Sequence, residues 1–193
     1  MGEKVEVILG GFGGQGIVLM GTILGSAAVK QGLWASGANS YGAQARGSAC
    51  KAEILISSEP LDYPRVMEAN VLIALSQEAY NRFLPQVMED GLVIYDDPFV
   101  VPERPQRPRH VGVCGTKWVL ERIGSVQTTN MFFLGFLSGL TDLISMDALS
   151  RALEESVSEN LLERNLRALE GGYIQGLEMR KRDGQALRVS WGK

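Results

Sequence analysis

Short apolar runs alternate with longer amphipathic stretches along the chain, and this alternation predicts an α/β fold. Residues 5–9 are apolar and rich in valine and isoleucine, as in a buried strand, and residues 15–31 then carry a helical pattern that ends before Gly32. A strand that leads into a helix is the usual opening unit of an α/β domain. Continuous apolar runs at 69–75 and 91–95 predict central strands covered on both faces.

Two further strands are predicted at 33–37 and 51–57, and the short polar connection between them favours antiparallel pairing. Residues 77–84 and the segment around Met88 predict a crossover helix that is interrupted at Pro85. Residues 110–115 predict a short strand. We therefore predict one α/β domain over residues 1–193, a three-layer α/β/α sandwich with a mainly parallel central sheet, and the short connection leaves a mixed sheet open.

The second half of the chain is predicted to be mostly helical. Residues 130–140 form an apolar run that is too short and too rich in glycine to span a membrane, which indicates a buried core helix. A long helix is predicted after Ser158, with Gly171, Gly172 and Gly176 loosening its last turns. A turn is expected at 180–184, and the proline-rich residues 98–109 predict an extended excursion at the surface.

Composition and charge exclude only a few classes of protein. A net charge of -3 and a hydrophobic content of 45% give no reason to expect nucleic-acid binding. The start of the chain lacks the pattern of a signal peptide, so a cytoplasmic protein without membrane attachment is expected. The two cysteines, Cys50 and Cys114, cannot build a four-thiolate iron–sulfur or zinc site. The single histidine, His110, is expected at a strand entry and not in catalysis.

The candidate chemistry lies in a glycine-rich turn between the first strand and the first helix. Glycines there allow positive φ and let backbone N–H groups approach an anion at the helix N-terminus. The spacing of Gly11, Gly13 and Gly16 matches the dinucleotide-binding fingerprint, but that site also needs an acid about 20 residues later. No Asp or Glu occurs between residues 7 and 52. Arg46 facing a 2′-phosphate would keep an NADP site open as an alternative.

One pair of glycines on the first helix, Gly21 and Gly25, removes side-chain bulk from a single stripe. Glycine inside a helix costs roughly 0.5–1 kcal/mol relative to alanine, so the pair indicates that another backbone packs closely there. That backbone belongs either to the sheet of the same domain or to a partner subunit, and pairing of two copies of the isolated chain is left open.

Several motifs in one order resemble the gamma subunit of 2-oxoacid:ferredoxin (acceptor) oxidoreductases. The glycine turn is followed by a loop at 41–47 that reads Tyr-Gly-Ala-Gln-Ala-Arg-Gly, and the resemblance continues through 70–75, 130–135 and 160–169. It covers essentially the whole chain. The candidate site residues that it supports are Gly11, Gly13, Gly14, Gln15, Gly16, Tyr41 and Arg46.

The resemblance implies a subunit that acts within a complex and has no catalytic residue of its own. Such complexes convert a 2-oxoacid and coenzyme A to an acyl-CoA and pass electrons to ferredoxin. Thiamine diphosphate, magnesium and the iron–sulfur clusters are expected on partner chains, namely alpha, beta and a ferredoxin-like delta chain or domain. Pyruvate, 2-oxoglutarate, branched-chain 2-oxoacids and indolepyruvate cannot be told apart at this stage. A structural adaptor without any site is a further alternative.

Overall fold

Six strands form one sheet in the computed structural model, which describes residues 4–40, 49–61, 65–103 and 108–182. The spatial order of the strands is β2-β3-β1-β4-β5-β6. Their bounds are β1 Lys4–Phe12, β2 Trp34–Ser40, β3 Ala49–Ser57, β4 Ala69–Ala74, β5 Val87–Asp96 and β6 Arg109–Val113.

The sheet is mixed, with a parallel half and an antiparallel half that meet at β1. Strand β1 pairs with β4 in parallel, and β5 and β6 continue the parallel half. On its other side β1 pairs with β3 in the antiparallel sense, and β3 pairs with β2 in the same way. The predicted mixed sheet and the antiparallel pairing of the second and third strands are thus confirmed.

Six α-helices cover the two faces of this sheet unequally. They are α1 Ile17–Lys30, α2 Gln77–Phe83, α3 Gly115–Ile123, α4 Thr129–Thr141, α5 Met146–Ser156 and α6 Glu159–Arg182. Five of them share the larger hydrophobic core, whereas α2 alone covers the smaller core on the other face. This arrangement confirms the three-layer α/β/α fold. Within the part of the chain that the structure describes, no helix is long and apolar enough to cross a membrane.

Helix α4 lies at the centre of the larger core, where every residue from Thr129 to Thr141 is buried. Helix α6 packs against α4 so closely that a side chain on Gly135 or Gly139 would overlap the backbone of α6, and one on Gly172 or Gly176 would overlap the backbone of α4. The predicted loosening of α6 by its glycines is therefore wrong, because these glycines permit close helix packing instead.

Two other local predictions are also wrong. The segment around Met88 is the start of strand β5, where the register shifts against β4. A side chain on Gly91 would crowd the carbonyl oxygens of Met88 and Asn70 there. Residues 180–182 continue α6, and Arg180 forms an ion pair with Asp142 at the end of α4. The side of the predicted turn beyond residue 182 lies outside the described residues.

Candidate functional site

The glycine-rich turn is an open elbow between the carboxyl end of β1 and the amino end of α1. Gly14 and Gly16 have φ values of 96° and 70°, a backbone conformation that residues other than glycine rarely adopt. A Cβ atom at Gly13 or Gly14 would meet no atom within 4 Å, so this part of the backbone is accessible from outside. By contrast, the space beside Gly11 is filled by Gln15 and Ile17.

The side chain of Gln15 fixes the elbow to the ends of two strands. Its Oε1 atom accepts a hydrogen bond of 2.6 Å from the backbone N–H of Phe12, and its Nε2 atom donates one of 3.2 Å to the carbonyl oxygen of Leu75. Gln15 thus joins the end of β1 to the residue that follows β4. One lone pair of the amide oxygen and one N–H of the amide nitrogen remain for a ligand.

Asn130 supports the elbow from below, and the sequence patterns had indicated no such role. The residue is buried, with 3% of its surface exposed, and its Nδ2 atom donates to the carbonyl oxygen of Gly16 over 3.3 Å. A side chain on Gly16 would overlap this amide. The available signals were the polar Asn130 at the start of a mostly apolar helix and its place in the 130–135 stretch of the resemblance.

Three backbone donors at the elbow have no acceptor within the described part of the chain. Among the described residues, the N–H groups of Gly13, Gly14 and Gly16 meet no hydrogen-bond acceptor. Helix α1 has no side-chain cap and no acidic residue in its first turn, so its first N–H groups and its positive dipole end are uncompensated. The elbow can therefore bind an anion or a carbonyl oxygen.

A cavity of about 510 Å³ adjoins the elbow at the carboxyl edge of the parallel strands. Its described lining carries no charged side chain and combines apolar groups with hydroxyl and amide groups. The lining residues are Phe12, Gly14, Gln15, Leu75, Ser76, Gln77, Phe99, Thr116, Val126, Gln127 and Thr129. Such a cavity suits an uncharged, partly apolar part of a ligand, while the elbow suits a charged part.

A buried carboxylate lies directly behind this lining. Asp96, the last residue of β5, is 1% exposed and accepts a hydrogen bond of 2.5 Å from the hydroxyl of Thr116. Burial raises the pKa of Asp96, and hydrogen bonds from Thr116 and Gly115 oppose that rise. Asp96 directly follows the strand predicted at 91–95, and an acid at the carboxyl end of a central strand is a recognised signal for a site.

The topology argues against a dinucleotide site at the elbow. In the dinucleotide-binding fold the second strand lies beside the first in parallel and carries the acid that binds the ribose. Here β2 lies two strands away from β1 and ends in the uncharged Asn39 and Ser40. No acid can thus reach a ribose from that position.

The two other predicted site residues, Tyr41 and Arg46, lie outside the described residues. The ends of their segment are placed, since Ala49 pairs with Phe12 at the carboxyl end of β1 and Ser40 pairs with Lys51. Both ends are therefore at the edge of the sheet that carries the elbow. Gly11, Gly13, Gly14, Gln15 and Gly16 are brought together there by the fold, and their role in ligand binding stays a prediction.

Comparison with known proteins identifies the family. Residues 6–175 match the model of the pyruvate ferredoxin/flavodoxin oxidoreductase family. This chain belongs to that family. Its curated relatives include the 2-oxoglutarate synthase subunit KorC of Methanocaldococcus jannaschii, which is 38% identical over 91% of this chain and 96% of the relative. The resemblance seen in the sequence is thereby confirmed, and the chain is a gamma-type component of an oxidoreductase.

Solved structures show the same fold. The gamma subunit of a keto/oxoacid ferredoxin oxidoreductase from Geobacter sulfurreducens matches with a TM-score of 0.82 and 30% identity, over 91% of this chain and 97% of that one. A 2-oxoglutarate:ferredoxin oxidoreductase from Magnetococcus marinus, solved with 2-oxoglutarate, coenzyme A and succinyl-CoA, matches with a TM-score of 0.82 and 24% identity. This chain is covered to 99% there, but only 34% of the longer chain is matched, so the likeness establishes the shared fold.

Proposed function

We propose that this chain is the gamma subunit of a complex that oxidatively decarboxylates 2-oxoglutarate to succinyl-CoA and passes the electrons to ferredoxin. The similarity to KorC along nearly the full length of both chains is the observation that carries the choice of 2-oxoglutarate. Pyruvate, branched-chain 2-oxoacids and indolepyruvate are the competing substrates of this enzyme class, and the first experiment below includes them.

The partner chains hold the redox and thiamine chemistry in this proposal. An iron–sulfur cluster needs about four cysteine ligands, and the chain has two cysteines in total, of which Cys50 is buried under the elbow. The clusters are therefore assigned in this proposal to partner chains, including a ferredoxin-like delta chain or domain. Thiamine diphosphate and magnesium are assigned to the alpha and beta chains, as the family resemblance implies. A cytoplasmic location stays a prediction.

The elbow and its cavity contribute part of the coenzyme A site. Coenzyme A joins an anionic nucleotide to a long uncharged pantetheine arm, and the edge of the sheet offers a matching pair of environments. The free N–H groups of the elbow face an anion, and the uncharged cavity beside them accommodates the arm. Arg46 and Tyr41 belong to this proposal because the ends of their segment lie at the same edge.

The function is tested by isolating the chain with its natural partners. A tagged chain, purified gently from its own cells, is assayed for coenzyme-A-dependent reduction of a viologen dye with each of the four 2-oxoacids. Co-purified larger chains, bound iron and a specificity constant highest for 2-oxoglutarate support the proposal. Preference for another 2-oxoacid overturns the substrate, and a single 21.0 kDa species without activity overturns the subunit function.

The ligand site is tested by a charge introduced where the elbow is open. Gly13 has ordinary φ and no neighbour around its Cβ position, so both Gly13→Asp and Gly13→Asn fit without overlap. In the assembled complex we expect Gly13→Asp to raise the KM for coenzyme A on the order of tenfold, and Gly13→Asn much less, because only the aspartate repels an anion. Equal KM values in both variants would show that the glycines merely shape the turn.

A further inference from the structure

The cavity wall carries a second polar cluster that the proposed function does not use. It joins the end of β5 to the starts of α3 and α4 through Asp96, Thr116 and Thr129. The hydroxyl of Thr116 lies 2.5 Å from the carboxylate of Asp96 and 3.3 Å from the hydroxyl of Thr129. Both threonines line the cavity, whereas Asp96 is shielded behind them.

The protons of the two hydroxyl groups are already committed to the protein. The hydroxyl of Thr116 donates its single proton to the carboxylate of Asp96 over 2.5 Å, the shorter of its two hydroxyl contacts. The hydroxyl of Thr129 donates to the carbonyl oxygen of Val126 over 2.8 Å, which is shorter than its distance to Thr116. Both oxygens therefore offer lone pairs, and no proton, to whatever occupies the cavity.

The polarity of this corner is the reverse of that of the elbow. The elbow presents backbone N–H groups and so selects acceptors such as phosphate or carbonyl oxygens. The threonine corner presents acceptors and so selects N–H or O–H donors. A buried acceptor left without a donor costs about 1–3 kcal/mol, so the corner discriminates between ligands that carry a donor there and ligands that do not.

We propose that Thr116, oriented by Asp96 and assisted by Thr129, is a specificity-determining residue that accepts a hydrogen bond from an uncharged N–H group of the ligand in the cavity. This inference rests on the proposed coenzyme A site and adds the identity of the selecting residue. Coenzyme A carries such groups in two places, the amides of the pantetheine arm and the amino group of adenine, and the experiment separates them.

The experiment measures the KM for coenzyme A in the assembled complex with Thr116→Val, Thr116→Ser and Asp96→Asn. Valine keeps the shape of threonine and removes the acceptor, so the KM of Thr116→Val for coenzyme A rises about tenfold. The kcat at saturating coenzyme A falls by a smaller factor. Serine restores the acceptor and brings KM back toward the wild-type value. Asparagine at position 96 donates to Thr116 and releases its hydroxyl proton into the cavity, so KM also rises.

Thr128→Val is the matched control, because Thr128 is a buried neighbour whose hydroxyl binds the carbonyl oxygen of Ser125 and does not line the cavity. Its KM for coenzyme A stays at the wild-type value, as does the KM for the 2-oxoacid in all variants. An unchanged KM in Thr116→Val, or an equal rise in Thr128→Val, overturns the inference. If Gly13→Asp still raises the KM in that case, the proposed coenzyme A site survives without this residue.

Etheno-coenzyme A, in which the adenine amino group is blocked, identifies the donor. If the pantetheine amides supply it, Thr116→Val raises the KM for etheno-coenzyme A as much as for coenzyme A. If adenine supplies it, the wild-type complex already shows the raised KM with the etheno analogue and Thr116→Val adds nothing. Two results together would contradict a hydrogen bond at Thr116. The first is that the analogue and Thr116→Val raise the KM additively, and the second is that Thr116→Ser does not restore the KM.

Discussion

At the scale of single residues, burial favours the neutral form of His110, and the hydrogen bond to Pro108 opposes this effect on its pKa. Its Nδ1 atom donates to the carbonyl oxygen of Pro108 over 2.7 Å, so its Nε2 atom accepts from the hydroxyl of Tyr80 over 2.9 Å. Burial lowers the pKa of His110. The residue lies near the start of β6, as predicted, and its partners explain a structural role.

We expect this contact to make the stability of the isolated chain depend on pH. The unfolded chain binds a proton at His110 with a pKa of about 6.5, and the folded chain binds it only at lower pH. At pH values between these two pKa values, the unfolded state binds more protons than the folded state. The free energy of unfolding therefore rises with pH in this range, and the contribution of His110 reaches its full value above about pH 6.5. His110→Gln removes the titration, and urea melts between pH 5 and 8 measure the difference between the two chains.

The absence of any other histidine makes this comparison specific, since the carboxylates titrate in both chains alike. The free energies of unfolding of wild type and His110→Gln are expected to diverge as the pH rises from 5 to 7. At pH 8 we expect the variant to be less stable by about 1 kcal/mol, the net value of one hydrogen bond. Parallel pH curves would contradict the prediction.

Residues of the candidate site were predictable to different degrees. The place of the glycines and Gln15 in a turn could be predicted because only a few residue types suit a sharp strand-to-helix turn. The contact of Asn130 with Gly16 joins residues 114 positions apart, and the contact of Asp96 with Thr116 spans 20. Contacts of this kind depend on how helices and strands meet in space, which no local pattern contains.

At the scale of the helix, the structure separates the two glycines of α1. A side chain on Gly21 would approach Ala52 of β3 to 2.7 Å, whereas one on Gly25 meets no atom within 4 Å. We expect Gly21→Ala to destabilise the isolated chain by about 1–3 kcal/mol through overpacking. We expect Gly25→Ala to stabilise it by about 0.5–1 kcal/mol, because alanine favours the helix and has room.

Chemical denaturation of the two variants and wild type, at one pH and with equal m-values, checks this prediction. A loss of stability in Gly25→Ala would contradict the open space seen beside that residue. The sequence left two explanations for the glycine pair, packing on the sheet of the same domain or packing on a partner subunit. Packing of α1 on the sheet accounts for Gly21 and does not account for Gly25.

Regular elements with strong hydrophobic patterns were predicted well, and failures occurred where tertiary contacts decide. The apolar strands β1 and β4 and the buried helix α4 follow directly from their residues. The first residues of β5 are irregular and partly exposed, so only their pairing with β4 makes them a strand. In α6 the glycines oppose helix formation locally, and the close packing on α4 overrides that cost.

At the scale of the whole molecule, the described parts of the candidate site meet at one edge of the sheet. The elbow, the cavity and both ends of the 41–48 segment lie at the carboxyl ends of the parallel strands, where α/β proteins commonly bind ligands. The antiparallel β3 beside β1 places Ala49, the first described residue after that segment, at this edge. The order of the strands could not be read from the sequence, because hydrophobic patterns identify strands without stating their neighbours.

Exposed apolar side chains also lie at this edge, so we expect the partner chains to bind here. Phe99 and Val126 line the mouth of the cavity and are 52% and 51% exposed. We expect Phe99→Ser to reduce the recovery of partner chains on the tagged subunit severalfold, because a serine there removes apolar area that assembly would bury. Since Phe99 is already half exposed, the melting temperature of the isolated variant should stay within about 2 °C of wild type.

Ile174→Ser is the matched control, since Ile174 is 53% exposed on α6 and lies outside the cavity lining. Its recovery of partner chains is expected to equal that of wild type. Quantitative gel analysis of the affinity-purified complexes compares the three chains at equal expression. Full recovery with Phe99→Ser and a loss with Ile174→Ser would place the partner chains on the helical face instead. In that case the edge of the sheet that carries the elbow would face solvent. The proposed coenzyme A site would then be formed without a partner chain at the elbow.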